Sequence, residues 1–196
     1  MDQTKSVRTP LVGNVYLLAA EIHALYARDD EKLQSQCKGW QNKVVTALYN
    51  GKIENDGTFL RLNLAGVHHE RAKTFIRFAL FHTTHDELRD LLKQAHVQAD
   101  KKLLQEAHGA MTLAWENLSS GFVGWEKNFY MTEAKLYLLE RDFENSAQTA
   151  KKALKLAHVL HSQKVKDEVT DVYGLLKILD MENPYVRNLG VELGIY

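Results

Sequence analysis

Histidine is the residue type in this sequence best suited to chemistry. There are nine, and imidazole is both the commonest metal ligand and the side chain that changes charge near neutral pH. His68 and His69, followed by Glu70, invite a metal site, but adjacent residues on a helix point about 100° apart and do not face one ion together. The pairs His82/His85 and His158/His161 stand one helical turn apart. Neither has a carboxylate placed to complete a His-Glu-x-x-His or Glu-x-x-His ligand set. Exposed or hydrogen-bonded helix histidines are therefore expected, with no metal and no cofactor. Cys37, the single cysteine, falls on the apolar side of a predicted helix, where a thiol is buried and inert. Glu133, Glu140 and Glu144 read as carboxylates on exposed helix faces or near a helix start. The sequence holds no phosphate loop, dinucleotide fingerprint or nucleophile elbow, so no catalytic residue is assigned and no enzymatic activity is expected.

Two non-catalytic sets remain. His69, Lys73 and Arg77 follow one another at four-residue steps, with Arg71 beside them. On a helix that spacing forms a single stripe able to hold an anion. Glu70 and the equal totals of 25 basic and 25 acidic residues favour a solvated, internally paired face instead. The second set is Trp40, Phe75, Phe78 and Trp115. It would line an apolar pocket if the protein were a helical-bundle enzyme or small-ligand carrier.

The elements that position these residues are helices. The two prolines, Pro10 and Pro184, sit where helices begin and interrupt none. A first helix is expected from about Leu11 to Arg28, its apolar stripe being Val15, Leu18, Ala19, Ile22 and Tyr26. Asp29–Asp30 caps a second, to about Tyr49, whose inner face carries Leu33, Cys37, Trp40, Val44 and Leu48. Residues 50–58, with Asn-Gly and Asp-Gly, form a loop. A third helix from Phe59 or Asn63 to Phe81 turns Leu64, Val67, Ala72, Phe75, Ile76, Ala79 and Leu80 inward. A fourth opens at His85, and a break near Asp100 is expected because an unbroken helix to Leu118 would be unusually long. Val165, Val169, Val172, Leu176 and Leu179 mark a later core-facing helix, and Asn183–Pro184 starts a short terminal one carrying Tyr185, Leu189 and Leu193. The total is about nine helices in one domain, residues 1–196, of an all-α protein.

Residues 125–160 form the clearest pattern. Ala134 and Tyr137 lie on one helix and Phe143 follows the turn at Arg141–Asp142. Ser146, Ala150, Ala153 and Leu154 then continue along the next helix. The order resembles a tetratricopeptide-type helical hairpin, departing from it at Ser146, where alanine is usual, and at Ala150, where an aromatic is common. The resemblance implies antiparallel hairpins stacked as a right-handed α-solenoid. It also implies a concave groove on which the first helix of each pair grips a peptide. Asn128, Met131, Lys135 and Leu138 would project there, Asn128 and Lys135 toward a peptide carboxylate and Met131 as an adaptable apolar contact.

More diffusely, HERAKTFIRFAL and LYLLERDFENSAQTAKKALKLA resemble the repeat-containing sensor halves of bacterial helix-turn-helix regulators, including the peptide-pheromone-responsive group. That implies recognition of a peptide or protein, homodimerisation, and control of a DNA-binding partner. The first sixty residues contain no short glycine-turn helix pair with a basic recognition helix, and the balanced charge supplies no pull toward nucleic acid. Direct DNA binding is not expected. The lone cysteine and the lack of a long apolar run point to a cytoplasmic protein without a membrane segment. The favoured expectation is a non-enzymatic scaffold.

Overall fold

The computed structural model describes residues 8–27, 30–50, 63–80, 91, 99–120 and 122–195. Among them there is helix and no strand. The elements are α1 (Arg8–Ala24), α2 (Glu31–Asn50), α3 (Leu64–Ala79), α4 (Lys101–Glu116), α5 (Val123–Leu139), α6 (Phe143–Val159), α7 (Gln163–Asp180) and α8 (Pro184–Glu192). Eight helices are thus described where about nine are expected. The loop expected at 50–58, the helix expected to open at His85, and the pair His82/His85 lie almost wholly outside the described residues.

Side chains at the helix starts explain most of the boundaries. Asn63 accepts from Gly66 N at 2.7 Å, Asp142 from Asn145 N at 3.1 Å, and Asn183 from Tyr185 N at 3.0 Å. Each satisfies a donor that the first turn leaves unpaired. Asp100 accepts from Lys102 N and Leu103 N, so the chain does break at the expected place. At the other ends, Arg141 and His161 take the left-handed conformation, φ 64° and 51°. There Asp142 N donates to Tyr137 O and Ser162 N to Ala157 O, each at 2.9 Å. The two corners share one backbone form, a Schellman-like end without its usual glycine.

The helices associate mainly in pairs: α1 along α2, α3 along α4, and α5 along α6, with α7 and α8 both resting on α6. The α5/α6 crossing is as the small residues predict. Ala134, Ser146, Ala150 and Ala153 are fully buried, and the Ser146 hydroxyl donates to the Ala134 carbonyl at 2.8 Å. Serine thus does what alanine cannot, tying one helix to the other while staying small enough for close approach. Helices α5, α6 and α7 begin at residues 123, 143 and 163. Residues 123–162 thus span forty positions from the start of α5 to the start of α7, longer than the thirty-four of a tetratricopeptide unit.

One apolar core runs from Ala20 to Leu189, with a small satellite around Val44 and Val67. Cys37 lies within it, and burial pushes its thiol up to about 11. Of the inward residues expected of α3 and α7, Ala72, Phe75, Ile76, Ala79, Leu80, Val165, Val169, Val172 and Leu176 are found there. Leu179 packs partly against it, Val67 belongs to the satellite, and Leu64 is in neither. Helix α1 departs from expectation. Its large apolar stripe faces outward, Val15, Leu18 and Ile22 being 59%, 56% and 48% exposed, while Ala20, Ala24 and Ala27 are buried. Both sides of α1 are apolar, so periodicity does not choose between them, and the alanine side allows the closer contact with α2.

Candidate functional site: a cleft across three first helices

Helices α3, α5 and α7 lie side by side and run the same way. α3 touches α5 and α5 touches α7, and the partners ascend together. Gly66 meets Trp125, and His69 meets Thr132. Lys127 reaches Ser162, and Lys135 reaches Glu168. A cleft of about 580 Å³ follows this surface. Its walls take His69, Glu70, Lys73, Ile76 and Arg77 from α3, Gly124, Trp125, Asn128, Met131, Thr132 and Lys135 from α5, and Lys164 and Glu168 from α7. Two stripes read separately in the sequence, His69/Lys73/Arg77 and Asn128/Met131/Lys135, therefore meet in one concavity.

Leu138 does not join them. It is 1% exposed and belongs to the core. At 100° per residue it lies about 280° round the helix from Asn128, on the inward shoulder of α5. Met131 shares that shoulder and is itself buried, so it contributes to the cleft floor and does not project. Asn128 is exposed and Lys135 half-buried.

The electrostatics differ from those of a simple cationic stripe. His69 is buried against α5, its Nε2 2.7 Å from Thr132 Oγ1 and its ring 4.7 Å from that of Phe129. Burial, with Lys73 and Lys135 nearby, pushes the imidazole down to about 3, against the opposing effect of the Asn128 carbonyl. His69 is accordingly neutral, and its role is to fasten α3 to α5. Lys73 donates to both oxygens of Glu70 at 2.9 and 2.7 Å. Glu21 of α1 stands 3.8 Å from both Lys73 and Arg77, and Glu168 stands 4.0 Å from both Lys135 and Lys164. The cations are thus interleaved with carboxylates. Arg77 retains an uncommitted donor, because its buried Nη1 has no hydrogen-bond partner.

Trp125, Thr132, Lys164 and Glu168 were not anticipated as cleft residues. The signal that points to Trp125 is Gly66, a glycine inside a helix, which usually marks a close approach. A Cβ built at Gly66 would lie 2.7 and 2.9 Å from two atoms of the Trp125 ring. Only glycine lets the indole rest against the backbone of α3.

The other expected sites are dispersed. Phe75 and Phe78 are buried in the core with ring centroids 6.3 Å apart. Trp40 instead packs on His23, and Trp115 on Phe129 and Tyr130. None of the four lines the cleft or a second hollow of about 640 Å³ between α4 and the end of α5. Glu133 is not the exposed carboxylate expected. It accepts from Trp115 Nε1 at 2.8 Å, and burial raises its pKa. Glu140 pairs with His108 at 2.9 Å. Among the described residues no three His, Cys, Asp or Glu side chains are grouped to hold a metal ion, and no helix is long and apolar enough to cross a membrane.

No family model matches the sequence, and no curated protein or solved structure is significantly similar to it.

Proposed function

We propose that this chain is a non-enzymatic, tetratricopeptide-like scaffold, its hairpins stacked as a solenoid. It binds an extended segment of a peptide or protein in the cleft of α3, α5 and α7, as a sensor or regulatory component. The observation that carries this reading is the convergence of the α3 and α5 stripes on one cleft that sets apolar Ile76, Trp125 and Met131 among charged and polar side chains. That combination suits a ligand with both backbone and side-chain polarity. Its volume lies in the range of sites that take a few residues or a drug-sized molecule. Asn128 supplies an amide at the rim, Lys135 an ammonium, and Met131 a pliable floor.

The test places a photo-crosslinking amino acid at Asn128 in the source cell and identifies adducts by mass spectrometry. A peptide or protein captured by the wild-type cleft and lost or strongly reduced in Lys135→Glu supports the reading. Capture unaffected by Lys135→Glu removes this cleft from consideration.

A further inference from the structure

The cleft is chemically different at its two ends. Helices α3 and α5 ascend together from the Gly66–Trp125 contact, so the indole closes the lower end. Arg77, with its unpartnered buried Nη1, lies at the upper end. Eleven residues of α3 separate Gly66 from Arg77, which at 1.5 Å per residue is about 16 Å. An extended chain advances about 3.3 Å per residue, so about five residues of peptide bridge that distance.

We propose, building on the peptide-binding reading above, that the ligand is a peptide segment with two anchors about five residues apart. One is an apolar side chain packed on the Trp125 indole, and the other is a carboxylate taken by the Arg77 guanidinium. Three features support the pairing. Trp125 is immobilised, since the backbone at Gly66 lies under its ring and the Phe129 ring stands edge-on 6.1 Å away. It therefore offers a rigid apolar wall at little entropic cost on binding. Lys73, Lys135 and Lys164 are already near carboxylates of the chain, whereas the guanidinium fork suits a second, bidentate carboxylate partner and Arg77 has a donor left over. Binding requires the guanidinium to rotate so that Nη1, which is buried, meets the incoming group. Finally, between the two ends the polar lining is already engaged within the chain, His69 with Thr132, Lys73 with Glu70 and Lys135 with Glu168, so the two anchors, not the middle of the ligand, set the register. The carboxylate can belong to an acidic side chain or to a chain end.

The experiment uses blocked seven-residue peptides of glycine and serine carrying one leucine and one aspartate, titrated at millimolar concentration into isotopically labelled full-length protein and followed by NMR. Leucine and aspartate five positions apart, in one of the two orders, should bind at least tenfold tighter than the same residues adjacent. They should also bind at least tenfold tighter than a peptide with asparagine for aspartate. In Arg77→Gln the aspartate and asparagine peptides should become equal, and in Trp125→Ala the leucine peptide should match one with serine in its place. A version with a free C-terminal carboxylate replacing aspartate tells the two carboxylate sources apart. Cleft binding that ignores the spacing, or an aspartate preference that survives Arg77→Gln, overturns the two-anchor proposal and leaves peptide binding standing. If neither these peptides nor apolar controls without aspartate perturb the cleft resonances, both fail together. The comparison among peptides on the wild-type protein does not depend on any variant folding.

Discussion

The α5/α6 hairpin and the α1/α2 pair are both antiparallel, yet they treat large apolar side chains in opposite ways. In α5/α6 the alanines and Ser146 form the seam, and Phe129 and Leu136 are buried alongside them. In α1 Ala20 and Ala24 are buried and Tyr16 and Leu17 pack against Val44 and Val67, but Val15, Leu18 and Ile22 are left in solvent. Where two helix backbones approach closely, small side chains mark the packed side more reliably than bulky ones. The bulky ones follow only when another element covers them. For α5 that cover comes from α3, α4 and α7. α1 has α2 and α3 as its principal neighbours, and Val15, Leu18 and Ile22 point away from both.

The comparison can be broken most directly by truncating one large apolar residue in each region. Phe129→Ala should cost about 3–5 kcal/mol, because the ring is fully buried between Trp115, Trp125 and His69. Leu18→Ser should change stability by no more than about 0.5 kcal/mol. Denaturant unfolding reads both, and comparable losses would show that the α1 stripe is covered in solution.

The His69 tie between α3 and α5 offers a pH-dependent test. Its folded-state pKa of about 3 lies below the unfolded value of 6.5, so the unfolded chain takes up the proton first. Stability is therefore complete above about pH 6.5 and falls as the pH drops toward 3. The contribution is about 5 kcal/mol at most, by linkage. Subtracting the pH–stability profile of His69→Gln from that of the wild type isolates it from the carboxylates. A flat difference would mean that the imidazole is solvated and that the α3–α5 tie is loose. A smaller effect is expected at the other tie. Ser146→Ala should lower stability by about 1 kcal/mol through loss of the hydrogen bond to the Ala134 carbonyl, as read by the denaturation midpoint.

Much of the local structure was legible in the chain. The Asn183–Pro184 pair marked a helix start because capping is a contact over two or three residues, Arg141–Asp142 marked a turn, and Asn63 was one of two starts open to α3. The alanine spacing marked the α5/α6 seam because its partners are close in sequence. The cleft was legible only in halves. Each stripe could be seen on its own helix, but the residues that join them, such as His69 and Thr132, are 63 positions apart, and no local period records which helices become neighbours. For the same reason His69 looked like a cation: its neutrality is imposed by burial against α5 and by Lys135, neither of which is visible on α3. Leu138 was misplaced by a smaller effect, a rotation of the helix that carries its row toward the core.

The equal spacing of α5, α6 and α7, with matching left-handed corners at Arg141 and His161, gives the C-terminal half of the chain a modular grammar. Residues 123–162 constitute a unit whose exit, Ser162, leads into Gln163 much as Phe122 leads into Val123. Under the proposed solenoid reading, in which neighbouring repeats contact only each other, a tandem copy of that unit would add one more helix beside α7, about 8–10 Å farther along, and would lengthen the proposed binding cleft by that amount.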